Sequence, residues 1–234
     1  MGRYNYKILA IMKLNKSFFN RLLYLPWTII FNFHYLPFKQ AIKLPIVFYT
    51  RPSFLIFKGK VIIDAKVVRP NMIRLGTTIV PLIPRCGFIW ENDGTILFHG
   101  NCVIASASFV SCRSGKLEFG KNNSFSSNNR IICHNSICFE DKIRVSWDCT
   151  FMDTDLHPLI DMVTQHEIPM KAPIKVGYGS WIGHNCIVSK GSKLPKNTTV
   201  SSGSIVKGKF KKENTIIAGN LATVIDEGYI RDDV

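Results

Sequence analysis

Between Ile174 and Val206 an aliphatic side chain stands at every sixth position: Val176, Ile182, Val188, Leu194, Val200 and Val206. Two residues before each stands Ile174, Ser180, Cys186, Ser192, Thr198 or Ser204, nearly all small, and Gly177 and Gly183 follow the first two aliphatics. A helix repeats its apolar positions at about 3.6 residues and a half-buried strand at every second one. Neither yields a period of six. That period predicts a parallel β-helix, in which each hexad is a short strand plus a turn and three hexads close a triangular coil. The aliphatic points into the prism, whose narrow bore requires the small partner.

The same beat predicts where the solenoid begins and where it is interrupted. It starts at Val61, Val67, Ile73 and Ile79, breaks at a proline-bearing loop over 81–85, and resumes at Phe98, Ile104 and Val110. After a slip at 113–116 it runs through Phe119, Phe125, Ile131 and Ile137, then in shifted register through Phe139, Val145 and Phe151. We expect one domain of roughly eight coils, residues 61–206, broken by an inserted loop, 152–173. Long insertions in solenoids form loops on one side and often carry function. Residues 207–234 leave the register and pick up Ile216 and Ala222 before an acidic tail. They are expected to form a last partial coil and a short helical or strand cap.

Residues 1–58 lack the beat. Apolar residues from Ile8 to Tyr24 fall at helical spacing among Lys13, Lys16 and Arg21, and the apolar stretch that follows is interrupted by Pro26, Asn32, His34 and Pro37. This is too broken for a membrane-spanning helix, and no small-residue cleavage site of a secretory signal follows it. Two readings stand: a helical, aromatic cap on the end of the solenoid, and an interfacial segment with lysines on anionic headgroups. Charge bears on the choice. Of the net +14, ten basic residues and no acid lie in residues 1–63, which points to an anionic neighbour. Nucleic acid is disfavoured, since no recognition helix or aromatic stacking sheet is recognisable.

The seven cysteines include no CxxC pair, which suggests reduced thiols in the cytoplasm, with Cys186 packed in the core. The six histidines lack short metal-ligand spacing; zinc hydration chemistry is a minor alternative. More telling is Asp153-Thr154-Asp155-Leu156-His157 at the mouth of the insert. Carboxylates four and two positions before an imidazole can orient it as a general base toward an alcohol; a solvated acidic loop is the competing reading.

The hexads, DTDLHP at 153–158, VGYGSWIG at 176–183, SGSIV at 202–206 and IIAGN at 216–220 resemble the hexapeptide-repeat acyltransferases, most closely bacterial sugar and polysaccharide O-acetyltransferases of the galactoside and maltose acetyltransferase kind. The resemblance spans roughly 61–225. It implies an all-β solenoid, a left-handed parallel β-helix, assembled as a homotrimer with acetyl-CoA in clefts between subunits and no metal required. It also implies direct acetyl transfer to a hydroxyl of a sugar or cell-surface glycan precursor. His157 matches the general base, with Asp153 and Asp155 orienting it or holding acceptor hydroxyls. A backbone N–H near Gly183–His184 matches the oxyanion donor, Trp181 the wall of the pantetheine channel, and Ser202 and Lys207 further CoA contacts. The chain departs from the family at Thr223 and Asp226, where relatives are basic; Lys207, Lys209, Lys211 and Lys212 are alternative phosphate partners. Leu221 replaces a turn proline, which should loosen that turn. The resemblance leaves two rivals: transfer to a sugar amine, and a non-catalytic scaffold docking on a membrane or partner. The expected location is cytoplasmic, with peripheral membrane contact through residues 1–40.

Overall fold

The structure, a computed structural model of the chain, describes residues 21–79 and 87–233. Most of the helix expected over 8–24, and the loop expected at 81–85, lie outside these residues.

Short strands stack into three parallel sheets, one on each side of a triangular coil. The first face runs Ile46–Phe48, Ile73–Thr77, Cys102–Ala105, Asn123–Phe125, Arg144–Val145, Trp181–Ile182, Thr199–Val200, Thr215–Gly219. The second runs Pro52–Phe57, Phe88–Asn92, Phe109–Cys112, Arg130–Cys133, Thr150–Met152, Ile187–Ser189, Ile205–Val206. The third runs Lys60–Ile63, Thr95–Phe98, Lys116–Phe119, Ser136–Phe139, Ile174–Val176, Lys193–Leu194. Ala222–Glu227 turns back antiparallel on Thr215–Gly219 and closes the C-terminal end.

Each hexad carries its own folding instructions. All six aliphatics from Val176 to Val206 are buried, and so are their small partners. Three residues after an inward side chain the backbone turns left-handed, at Asn122, Asn128, Asp148, Asn185 and Asn197 and at Gly179, Gly191 and Gly203. Asn, Asp and Gly tolerate that conformation best. The buried hydroxyls of the small positions bond to neighbouring backbone: Ser192 Oγ donates to the Val206 carbonyl at 3.1 Å, and Ser204 Oγ accepts from Gly219 N–H at 3.2 Å. In the middle coils the bore is filled by rings in register. Phe119 stacks on Phe98 (centroids 5.0 Å, 10° apart) and on Phe139 (5.5 Å, 8°).

The solenoid starts earlier than the beat indicates. Its first strand is Ile46–Phe48, not one at Val61, and among the described residues six coils carry a strand on all three faces, with a seventh that has strands on only the first two. Val61 and Ile73 point inward, but Val67 is 65 % exposed and Ile79 lies on the surface. The first two coils use longer strands with register shifts between Phe54 and Ile56 and between Leu75 and Thr77, so no six-residue period survives there.

The cap is helical, as one of the two readings expected. Helix α1 (Leu25–Tyr35) begins with a proline in its first turn, and a short α2 (Phe38–Ala41) follows. Residues Thr28, Phe31 and Asn32 of α1 are buried against the first coil. Ile46–Phe48 would otherwise be an open sheet edge. Asn32 Oδ1 accepts from Ile46 N–H at 3.2 Å, Asn32 Nδ2 donates to the Ile46 carbonyl at 2.6 Å, and Thr28 Oγ1 accepts from Phe48 N–H at 3.1 Å. Phe31 then packs against Phe48, Phe54, Phe57 and Trp90. No described helix is long and apolar enough to cross a membrane.

Phe119→Ala removes the middle ring of the stack and is expected to cost about 3–5 kcal/mol, measured as a lowered midpoint in chemical denaturation.

Candidate active site

The insert leaves the solenoid after Thr150–Met152 and rejoins it at Ile174–Val176, at the corner between the second and third faces. Its base is held tightly. Asp153 is fully buried, and its two oxygens accept from the backbone N–H groups of His134 at 2.7 Å and Asn135 at 2.9 Å. Asp155 N–H donates to the Met170 carbonyl at 2.9 Å, and Thr154 bridges to Lys171. Lys190, from the next coil, ties both arms: its Nζ donates to the Pro169 carbonyl at 2.6 Å and forms an ion pair with Asp155. Beyond this base the arm is a hairpin of Leu159–Ile160 on Glu167–Ile168. At its tip Asp161 accepts from the N–H groups of Val163 and Thr164, bonds that hold its carboxyl below the usual range. Met162 and Val163 there are 90 % and 92 % exposed.

His157 is exposed at the start of this arm, and neither candidate carboxylate bonds to it. The Asp153 carboxylate instead satisfies two backbone donors of the preceding coil. Asp155 is engaged by Lys190 instead.

A second group lines the opposite edge of the second face, at its corner with the first. Trp181 is half exposed, with its Nε1–H on Ser146 Oγ at 3.3 Å. The His184 ring stacks on Trp147, centroids 4.8 Å apart and planes 13° from parallel. Ser202 is exposed one coil further on. Gly183 sits where a Cβ would meet the Ser202 nitrogen at 2.7 Å and the Val200 oxygen at 2.8 Å, so only glycine fits. Its N–H donates to the Val200 carbonyl at 2.8 Å, which leaves the His184 N–H as the candidate oxyanion donor of the pair. Behind this corner Cys149 is buried, its thiol pushed up first by its bond with Cys186 and then by burial.

The structure thus brings Trp181, Gly183, His184 and Ser202 to one corner, while His157 is rooted at another. Lys207 is exposed at the corner of the insert, apart from the Trp181 group. Of the alternative lysines, Lys212 pairs with Glu227, whereas Lys209 and Lys211 line an open groove of about 460 Å³ with Lys193. Thr223 and Asp226 lie exposed on the terminal hairpin, and Leu221 is exposed in its turn. Among the described residues no group of three histidine, cysteine or acidic side chains is placed to hold a metal ion. Two residues of this region escaped the sequence reading. Lys190 has no local signal, but Trp147 stands two places after the inward Val145, as His184 does after Ile182, and that hexad position marks it.

No family model matches the chain, and no curated protein does. Solved structures do. The polysialic-acid-specific acetyltransferase NeuO superposes with a TM-score of 0.50 at 18 % identity, covering 81 % of each chain. A hexapeptide transferase family protein from Anaplasma phagocytophilum gives 0.49 at 12 %, over 79 % of this chain and 86 % of that one. The polysialic acid O-acetyltransferase OatWY gives 0.42 at 20 %, over 77 % and 76 %. What the chain shares with NeuO is the fold, the left-handed parallel β-helix of hexapeptide-repeat acetyltransferases.

Asp153→Ala strands two backbone donors and is expected to cost roughly 1–3 kcal/mol of stability, whereas His157→Ala should leave thermal unfolding unchanged; calorimetry separates them.

Proposed function

We propose that the protein is an acetyl-CoA-dependent O-acetyltransferase acting on a hydroxyl of a sugar or glycan. The observation that carries this reading is a base-bearing arm and an aromatic corner set on opposite edges of one face of an acetyltransferase-type solenoid. His157 takes the hydroxyl proton while the oxygen attacks the thioester carbonyl carbon. The His184 N–H donates to the oxyanion as charge develops there. The C–S bond then breaks, the thiolate takes the proton from the imidazolium, and the acetyl ester leaves with CoA. No cysteine is acylated. Trp181 and Ser202 line the pantetheine path, and Lys207, Lys209 and Lys211 are the cations for the CoA phosphates.

In this proposal the working unit is a homotrimer, in which the arm of one subunit reaches the corner of the next. The bare Met162–Val163 tip supports it, because so much exposed apolar surface calls for a partner. The proposal also places the enzyme in the cytoplasm, peripheral on the membrane through residues 1–40.

His157→Ala is expected to lower kcat by about 10²–10⁴-fold with acetyl-CoA affinity by calorimetry unchanged; undiminished turnover sinks the assignment. Trimers mixed from His157→Ala and Trp181→Ala subunits should regain activity that neither parent has, because some interfaces then pair an intact arm with an intact corner. No regain would place each site within one chain.

A further inference from the structure

The N-terminal cap buries one side of α1 and leaves the other bare. At about 100° per residue, Pro26, Ile29, Ile30 and Phe33 fall on one continuous arc, and every one of them is exposed, as is Leu22 just before the helix. The arc opposite holds Thr28, Phe31 and Asn32, which seal the first coil. Phe38, 70 % exposed, and Ile42 extend the bare arc beyond the helix. An amphipathic helix of a soluble domain turns polar groups outward; one apolar on both sides is built to be covered on both.

Charge identifies the cover. Lys39 and Lys43, both exposed, flank Ile42 on the bare stretch, and no carboxylate occurs before Asp64. A cleft of about 270 Å³ opens at the margin between this face and the buried side of α1, walled by Leu22, Leu25, Thr28, Leu44 and Val47, with Arg21 and Lys43 among its lining residues. An apolar slot bordered by cations matches an acyl chain below a phosphate headgroup, and a second copy of this chain would bring cations onto cations. We infer that the outer face of the cap, Leu22 to Ile42, docks on an anionic phospholipid surface. This narrows the peripheral contact proposed above to one face.

The cap and the acyl-transfer residues lie at different levels of the solenoid. Four coil steps separate the first strand of the second face from Thr150–Met152, where the arm departs. At about 4.8 Å per step the arm leaves roughly 20 Å beyond the first coil. On the trimer reading three caps point the same way, so weak contacts add by avidity. An acceptor held at that height, such as a glycan growing on a lipid carrier, is the class this geometry favours.

The test is flotation of the full-length protein with equimolar phosphatidylglycerol–phosphatidylcholine vesicles and with phosphatidylcholine alone, without acetyl-CoA or acceptor. Binding should require the anionic lipid and weaken with salt. It should fall at least about tenfold in Ile30→Glu with Phe33→Glu, whose burial in the interface is lost. Lys39→Gln with Lys43→Gln should erase the lipid preference. If the glutamate pair disturbs folding, Ile30→Ser with Phe33→Ser, checked for an unchanged melting temperature, decides the matter. Equal flotation of wild type and variants overturns the inference. So does lipid-free self-association that the same variants abolish, which would give the face to a second copy.

Discussion

Parallel strands stacked in register put like positions above like positions, and most of this molecule follows from that constraint. A side chain that points into the bore meets its equivalents one coil, about 4.8 Å, above and below. Rings then stack on rings, as Phe98, Phe119 and Phe139 do. Where the bore narrows, an aliphatic needs a small neighbour two places away, and Ser180, Ser192 and Ser204 take that place with their hydroxyls bonded to backbone. Corners must turn in about one residue, so Asn, Asp and Gly gather there. The coil takes its extra segment at such a corner, because within a strand it would break the pairing to the coils above and below.

A prism of this kind has flat sides. What stands out from them is a protruding insert and the columns of side chains at the corners. The insert supplies the protrusion, and its base is rigid because Asp153 and Lys190 bind it to the coils on either side. The column of Trp147, His184 and Ser202 supplies an aromatic and polar wall, packed tightly enough that Gly183 has no room for a Cβ. The two elements stand on opposite edges of one face.

The two ends of the solenoid expose sheet edges, and each is closed differently. At the C-terminal end a strand folds back on its neighbour. At the N-terminal end side chains of α1 meet the edge strand's polar groups directly, so the helix is fixed by Asn32 and Thr28 as much as by its aromatic packing. The helix thereby holds an apolar outer face in a defined orientation at one end of the molecule.

Residues 98–206 reveal their fold through spacing alone, because each hexad satisfies one local requirement repeatedly: an inward side chain, a left-handed turn, a small partner. The same rule is silent in the first two coils, where longer strands and register shifts hide the start at Ile46 and make Val67 and Ile79 look inward-facing. Motif resemblance singled out His157, Trp181, Gly183, His184 and Ser202. Only the folded chain assigns Asp153 to backbone donors and Asp155 to Lys190. Those bonds join residues many positions apart, brought together by stacking coils, and no local pattern encodes which partner a carboxylate meets once the coils are closed.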